Sequence, residues 1–113
     1  MHEWKIAAQA ALSKKAEDVL ALNIRETSSF ADVFLICTGS NIRQNQAISD
    51  AIQRALRSVG LRPLGVEGYQ NAVWVLLDYG SFVIHILSKE TRRLYDLERL
   101  WKNAPRVPLS EAT

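Results

Sequence analysis

Residues 72–87 read AVWVLLDYGSFVIHIL, which is two strand-like segments on either side of Gly80-Ser81. Glycine at the first position of a two-residue loop is typical of a type II′ turn, because glycine adopts a positive φ without strain. A turn of this kind fixes the register of the two strands and places Tyr79 opposite Phe82. The stretch therefore predicts an antiparallel β-hairpin, around which the rest of the fold must be arranged.

Side-chain alternation gives this hairpin two different faces. The first face is apolar throughout and has to be covered by helices: Val73, Val75, Leu77, Tyr79, Phe82, Ile84 and Ile86. The second face mixes apolar and polar side chains: Trp74, Leu76, Asp78, Val83, His85 and Leu87. It is either a docking surface for another protein or a surface covered by the first or last helix, with His85 as a core histidine.

Docking is the favoured interpretation, because the predicted helices carry single apolar stripes and the first face already needs them. The candidate binding residues are Trp74, Leu76, Asp78, Tyr79 and His85, with Asp78 at the edge of the surface and Tyr79 at its tip. Tryptophan is often a hot spot when it lies in a protein interface.

The flanking sequence predicts helices and further strands. Helical spacing, two-residue alternation and one continuous apolar run give the order helix, strand, strand, helix, strand, strand, strand, helix, near residues 3–15, 20–24, 33–37, 42–59, 64–67, 72–79, 82–87 and 94–101. Asn41 can cap the second helix, with Gln44 at the position of a capping box. The last helix is predicted to kink near Tyr95-Asp96.

Length and composition favour one domain. The chain has 113 residues, of which 48% are hydrophobic and 23% charged, enough apolar side chains for a single core. The predicted class is α/β, a single small domain with a mixed β-sheet and helices mainly on one face. We expect the domain to span residues 1–107 and residues 108–113 to form a flexible tail.

Charge and cysteine content give weaker constraints. Fourteen Lys and Arg against twelve Asp and Glu leave a formal charge of +2, and acidic residues interrupt the basic ones, so autonomous RNA binding is not predicted. Cys37 is the only cysteine, which favours a reducing compartment. No membrane span and no secretory signal are predicted, so we expect a cytoplasmic protein. Removal of an organelle import segment is left open.

The candidate catalytic patterns are incomplete. Residues 38–41 (TGSN) lie between a strand and a helix, where backbone N–H groups can hold an anion, but they lack the glycine pattern of a nucleotide-binding loop. No predicted strand carries the Asp-x-Asp or Asp-x-Glu pair that metal-dependent nucleotidyl transfer needs, since the one such pair in the sequence, Asp96 and Glu98, lies in the last predicted helix. Cys37, His85 and Asp78 include a nucleophile and a base, yet a cysteine in an apolar strand is usually inert. We expect no catalytic residue, no metal site and no cofactor, with a residual nucleotide-binding enzyme as an alternative.

Seven stretches, in order between about residue 5 and about residue 107, carry a family resemblance: residues 31–40 (ADVFLICTGS), 43–44 (RQ), 47–48 (AI), 67–68 (EG), 74–80 (WVLLDYG), 83–86 (VIHI) and 93–101 (RLYDLERLW). Together these motifs resemble the ribosomal silencing factor family, also called Iojap-like. The resemblance implies a nucleotidyltransferase-like α/β domain without the catalytic carboxylates and without transferase activity.

The resemblance also implies a function. Family members are translation repressors that bind large-subunit ribosomal protein number fourteen and sterically block joining of the large and small ribosomal subunits, and they tend to be homodimers when free. Carried over to this chain, the hairpin residues become the expected ribosomal contact. Contact with ribosomal RNA stays open. A large-subunit assembly factor is the alternative that would use the same docking face.

Overall fold

The computed structural model describes residues 2–26 and 31–109. Within them the elements are α1 (Glu3–Ser13), β1 (Glu17–Asn23), β2 (Val33–Thr38), α2 (Ile42–Arg57), β3 (Gly65–Glu67), β4 (Trp74–Asp78), β5 (Phe82–Leu87), α3 (Lys89–Tyr95), α4 (Leu97–Leu100) and β6 (Arg106–Val107). The predicted order is confirmed as far as the last helix. The predicted kink is also confirmed, because Asp96 adopts a left-handed conformation between α3 and α4.

The strands form one mixed sheet in the order β3-β4-β5-β2-β1-β6. β2 and β5 run parallel at its centre, and every other neighbouring pair is antiparallel. The predicted hairpin register is confirmed, since Trp74 pairs with Leu87 and Leu77 pairs with Ile84. Gly80 has a φ of 84°, the positive value that its place in the turn requires. The α/β class predicted from the sequence is therefore confirmed.

The two longer helices cover the first face of the hairpin. The inward side of α1 consists of alanines, which let the helix approach the sheet closely: Ala7, Ala8 and Ala11. The inward side of α2 consists of large aliphatic side chains: Ile48, Ile52 and Leu56. All six side chains are fully buried. They pack in one cluster with the first-face residues of β4 and β5. Val73 is an exception at 46% exposed, because β4 begins only at Trp74, after the positive φ of Ala72.

The start of α2 is fixed by side-chain hydrogen bonds. The Gln44 N–H donates to Oδ1 of Asn41 over 2.8 Å, as the capping pattern predicts. The side chain of Gln44 does not return to Asn41. It accepts from the Ser40 N–H over 2.6 Å and donates to the Lys14 carbonyl over 3.0 Å. Gln44 therefore ties the N-terminal end of α2 to the C-terminal end of α1.

The C-terminal segment folds back over part of the second face. Trp101 makes an edge-on contact with Phe34, with ring centroids 5.2 Å apart, and Leu97 is buried in the same cluster. The chain then reaches the far edge of the sheet, where β6 pairs with β1. This short strand was not predicted, because two residues are too few to show a period. Of the predicted flexible tail, residues 110–113 lie outside the described residues.

Candidate protein-docking surface

The second face of the hairpin is partly covered, which corrects the expectation for His85. His85 is only 5% exposed and lies between Trp74 and Phe34, with its ring centroid 4.6 Å from that of Phe34. Trp74 Nε1–H donates to Nδ1 of His85 over 3.1 Å. Burial lowers the pKa of His85 to about 4, because desolvation disfavours the charged imidazole. His85 is thus a neutral core residue that accepts a hydrogen bond from Trp74 and holds its indole in place.

The other predicted site residues separate into two groups. Trp74, Leu76 and Asp78 remain half-buried on the second face. Asp78 is also part of the hairpin, since its Oδ1 accepts from the Gly80 N–H over 2.8 Å. Tyr79 points to the first face and stacks on Phe82, with ring centroids 5.1 Å apart. Tyr79 therefore does not share a surface with Trp74.

The C-terminal helices extend the exposed part of the second face with side chains that the sequence analysis did not include among the candidate binding residues. Leu94 is 73% exposed, Tyr95 58% and Leu100 72%. The Tyr95 ring lies 4.9 Å from that of Trp74, so the two surfaces are continuous. We call this surface the apolar patch: Trp74, Leu76, Leu94, Tyr95 and Leu100. A contiguous exposed apolar surface is typical of a site that binds another protein.

Arg92 holds the C-terminal segment in the position that creates the apolar patch. Its side chain is 10% exposed, and its Nη2 lies 2.8 Å from Oε2 of Glu98. The same guanidinium donates to Oγ1 of Thr38 over 3.0 Å and to the Asp18 carbonyl over 2.8 Å. The Asp18 carbonyl is available because Asp18 has a positive φ at an irregularity in β1. The family motif at residues 93–101 begins with Arg93, which is exposed, and sequence reasoning missed Arg92.

Arg92 influences the pKa values of two nearby groups, the carboxyl of Glu98 and the thiol of Cys37. Desolvation opposes the charged form of Glu98, but the hydrogen bond and charge of Arg92, together with a backbone hydrogen bond and the charge of Arg106, outweigh it, so the pKa of Glu98 is lowered. Burial raises the pKa of the Cys37 thiol to about 12, against a smaller opposite effect of Arg92. Cys37 is therefore a thiol at neutral pH and not a nucleophile.

Residues 2–26 and 31–109 contain no group of three or more His, Cys, Asp or Glu side chains that could hold a metal ion. Among the same residues no helix is long and apolar enough to cross a membrane.

The fold and the apolar patch are typical of a small α/β domain that binds another protein. The family model described as "Ribosomal silencing factor during starvation" matches residues 1–113, and the chain belongs to this ribosomal silencing factor family. It is 44% identical over 105 residues to a ribosomal silencing factor of Bacillus subtilis, covering 93% of this chain and 89% of the relative. It is 43% identical over 105 residues to that of Halalkalibacterium halodurans, covering 93% and 90%.

Solved structures show the same fold. A crystal structure of a protein from Chromobacterium violaceum has a TM-score of 0.86 at 31% identity, covering 88% of this chain and 83% of that one. A more distant relative, from Mus musculus, is named "Mitochondrial assembly of ribosomal large subunit protein 1". It is 29% identical over 91 residues, and the match covers 78% of this chain and 40% of that longer protein.

Proposed function

We propose that this chain is a translation repressor that docks on the large ribosomal subunit through its apolar patch. The proposed contact is large-subunit ribosomal protein number fourteen, and the proposed mechanism is steric obstruction of the small subunit. The observation that carries the proposal is the exposure of Leu94, Tyr95 and Leu100 beside Trp74. Membership of the ribosomal silencing factor family gives the partner class.

The apolar patch has the composition of an interface core with a polar rim. The rings of Trp74 and Tyr95 contact each other in the patch. Arg93 and Arg99 line the same surface depression as Leu94 and Leu100. Large aromatic side chains dominate the binding energy of many interfaces, while rim charges mainly affect orientation and association rate. His85 contributes indirectly under this proposal, because it holds the indole of Trp74 and is itself shielded.

Sedimentation of the protein with purified ribosomal subunits tests the proposal. We expect it to pellet with large subunits, to be depleted from joined ribosomes and to lower the joined fraction. Trp74→Ala should weaken the binding by at least about 1 kcal/mol while the fold is retained. An unchanged joined fraction at saturating protein would contradict the proposal. A pull-down with isolated ribosomal protein number fourteen tests the particular partner.

A large-subunit assembly factor is the second candidate function, favoured by the name of the Mus musculus relative. An assembly factor would use the same patch, but its deletion would cause immature large particles to accumulate. Deletion of a repressor would instead leave mature subunits and raise subunit joining. Gradient profiles of deletion cells therefore distinguish the two functions.

We propose that the protein represses translation in the cytoplasm. We also propose that the free protein is a homodimer, which analytical ultracentrifugation tests. Ribosomal RNA contact would appear as crosslinks from the bound protein to RNA. A nucleotide-binding enzyme would release or absorb heat on titration with nucleoside triphosphates and magnesium, and a silencing factor that acts by occlusion would not.

A further inference from the structure

The two long helices form an open groove on the side of the sheet opposite to the apolar patch. The groove has a volume of about 500 Å³. It follows α1 from Lys5 to Lys14, which is ~14 Å at the helical rise per residue. α1 and α2 are joined at one end by Gln44, so the groove has two fixed walls.

The floor of the groove is apolar and composed mainly of small side chains: Ile6, Ala10, Ala51 and Ala55. Alanine at three of these positions leaves room for another backbone to approach closely. The space between the helices is therefore a consequence of small side chains on the facing sides of α1 and α2. A groove with this shape fits a helix that packs along α1 and α2.

Every charged side chain that lines the groove is basic: Lys5, Lys14 and Arg54. Within the described residues, neither Lys14 nor Arg54 forms an ion pair with a carboxylate. The nearby carboxylate of Asp50 accepts the hydroxyl of Tyr69 over 3.0 Å and does not line the groove. The groove thus combines an apolar floor with a positive rim.

We propose that this groove binds an acidic amphipathic α-helix of a partner protein. The apolar side of such a helix would cover the alanine floor, and carboxylates two to three turns apart would meet the basic side chains at the two ends. The basic rim favours an acidic partner by charge complementarity. The apolar floor favours a polypeptide that can cover it with apolar side chains. The site is separate from the apolar patch, so the partner can bind while the protein is docked on a ribosomal subunit.

Two other occupants fit the groove less well. RNA recognition commonly uses aromatic side chains on which bases stack, and no aromatic side chain lines the groove. A second copy of the chain, related by a twofold axis through this face, would place basic side chains against basic side chains. A crosslinking experiment detects either of these occupants.

Site-specific photo-crosslinking tests the proposal in the full-length protein. Gln9 is exposed and lines the groove, so it is replaced by a benzoylphenylalanine, and the adducts formed in cells are mapped to the crosslinked segment. The paired variant Lys14→Glu with Arg54→Glu reverses the rim charge. Arg57→Glu is the matched control, since Arg57 is exposed in the same last turn of α2 but does not line the groove.

We expect adducts within an acidic helical segment of one protein, reduced at least about tenfold by the paired variant and unchanged by Arg57→Glu. A synthetic peptide of that segment should show the same loss of affinity. The proposal would be overturned by adducts to RNA or to a second copy, and equally by adducts that charge reversal does not reduce. The absence of any adduct above background would also overturn it. The paired variant should bind large subunits as the unchanged protein does, so failure here is distinguishable from failure of the proposed function.

Discussion

Trp74 donates the N–H of its indole to Nδ1 of His85 over 3.1 Å, across two adjacent strands. Because Nδ1 accepts, the neutral imidazole carries its proton on Nε2, which has no hydrogen-bond partner among the described residues. One polar contact therefore joins the half-exposed indole of the apolar patch to a buried histidine. The orientation of Trp74 and the protonation state of His85 depend on each other.

Replacing Trp74 with phenylalanine should separate its two contacts. Trp74→Phe keeps an aromatic ring beside Tyr95 but leaves Nδ1 of His85 without a donor, so we expect the free energy of unfolding to fall by about 1–2 kcal/mol. Trp101→Phe is the control, because no hydrogen bond joins the Trp101 indole to the described residues. Urea denaturation of both variants measures the difference, and equal losses would show that the hydrogen bond contributes nothing.

Two exposed leucines of the apolar patch should affect binding without affecting stability. Leu94→Ala and Leu100→Ala combined should change the free energy of unfolding by less than about 0.5 kcal/mol and weaken large-subunit binding about tenfold or more. Leu64→Ala is the matched control, because Leu64 is 76% exposed but lies beside the turn at Gly80. If all the variants bind alike in a pelleting assay, the patch is not the contact.

Loss of the Arg92 side chain should release the C-terminal segment. Arg92→Met removes the ion pair with Glu98 and the hydrogen bonds to Thr38 and Asp18, so we expect a destabilisation of about 3 kcal/mol. Hydrogen exchange should increase first in residues 93–101. Arg93→Met changes an exposed neighbour on the same helix and should leave both measurements unchanged. A similar effect of the two substitutions would mean that the contacts of Arg92 with Glu98, Thr38 and Asp18 do not hold the C-terminal segment in place.

Stability should fall with acidification before the carboxylates titrate. His85 has an ordinary pKa of 6.5 when unfolded and about 4 when buried, so between these values only the unfolded chain binds the proton. The loss on lowering the pH from 6.5 to 4 is about 3 kcal/mol, and stability becomes constant with respect to this group only once the pH is well above 6.5. His85→Asn keeps an acceptor for Trp74 without a titrating ring. Its urea midpoint should therefore change less over this range, and an unaltered pH profile would refute the assignment to His85.

The loop that precedes β4 should not accommodate a side chain at position 68. Gly68 has a φ of 77°, and a Cβ there would meet the carbonyl oxygen of Trp74. Gly68→Ala should therefore destabilise the protein by about 2 kcal/mol or more. Gly65→Ala is the control, because a Cβ at Gly65 meets nothing within 4 Å. Thermal unfolding of the two variants would show no difference if the loop rearranged freely.

The sequence by itself determined the local features of this protein. The turn at Gly80-Ser81 sets the pairing of Trp74 with Leu87, and Asn41 caps α2 with its own side chain. These features depend on residues a few positions apart, so a single stretch contains all the information. The family motifs were readable for the same reason, since each is a short continuous run.

Only the tertiary structure decided which side chains of the second face remain accessible. Arg92 reaches Asp18, 74 positions earlier, and so fixes α3 and α4 against the second-face cluster while Leu94 and Leu100 stay exposed. A helical stripe shows that apolar residues share a side but not what that side faces. The position of a short terminal segment depends on distant contacts, and their partners cannot be recognised from spacing along the chain.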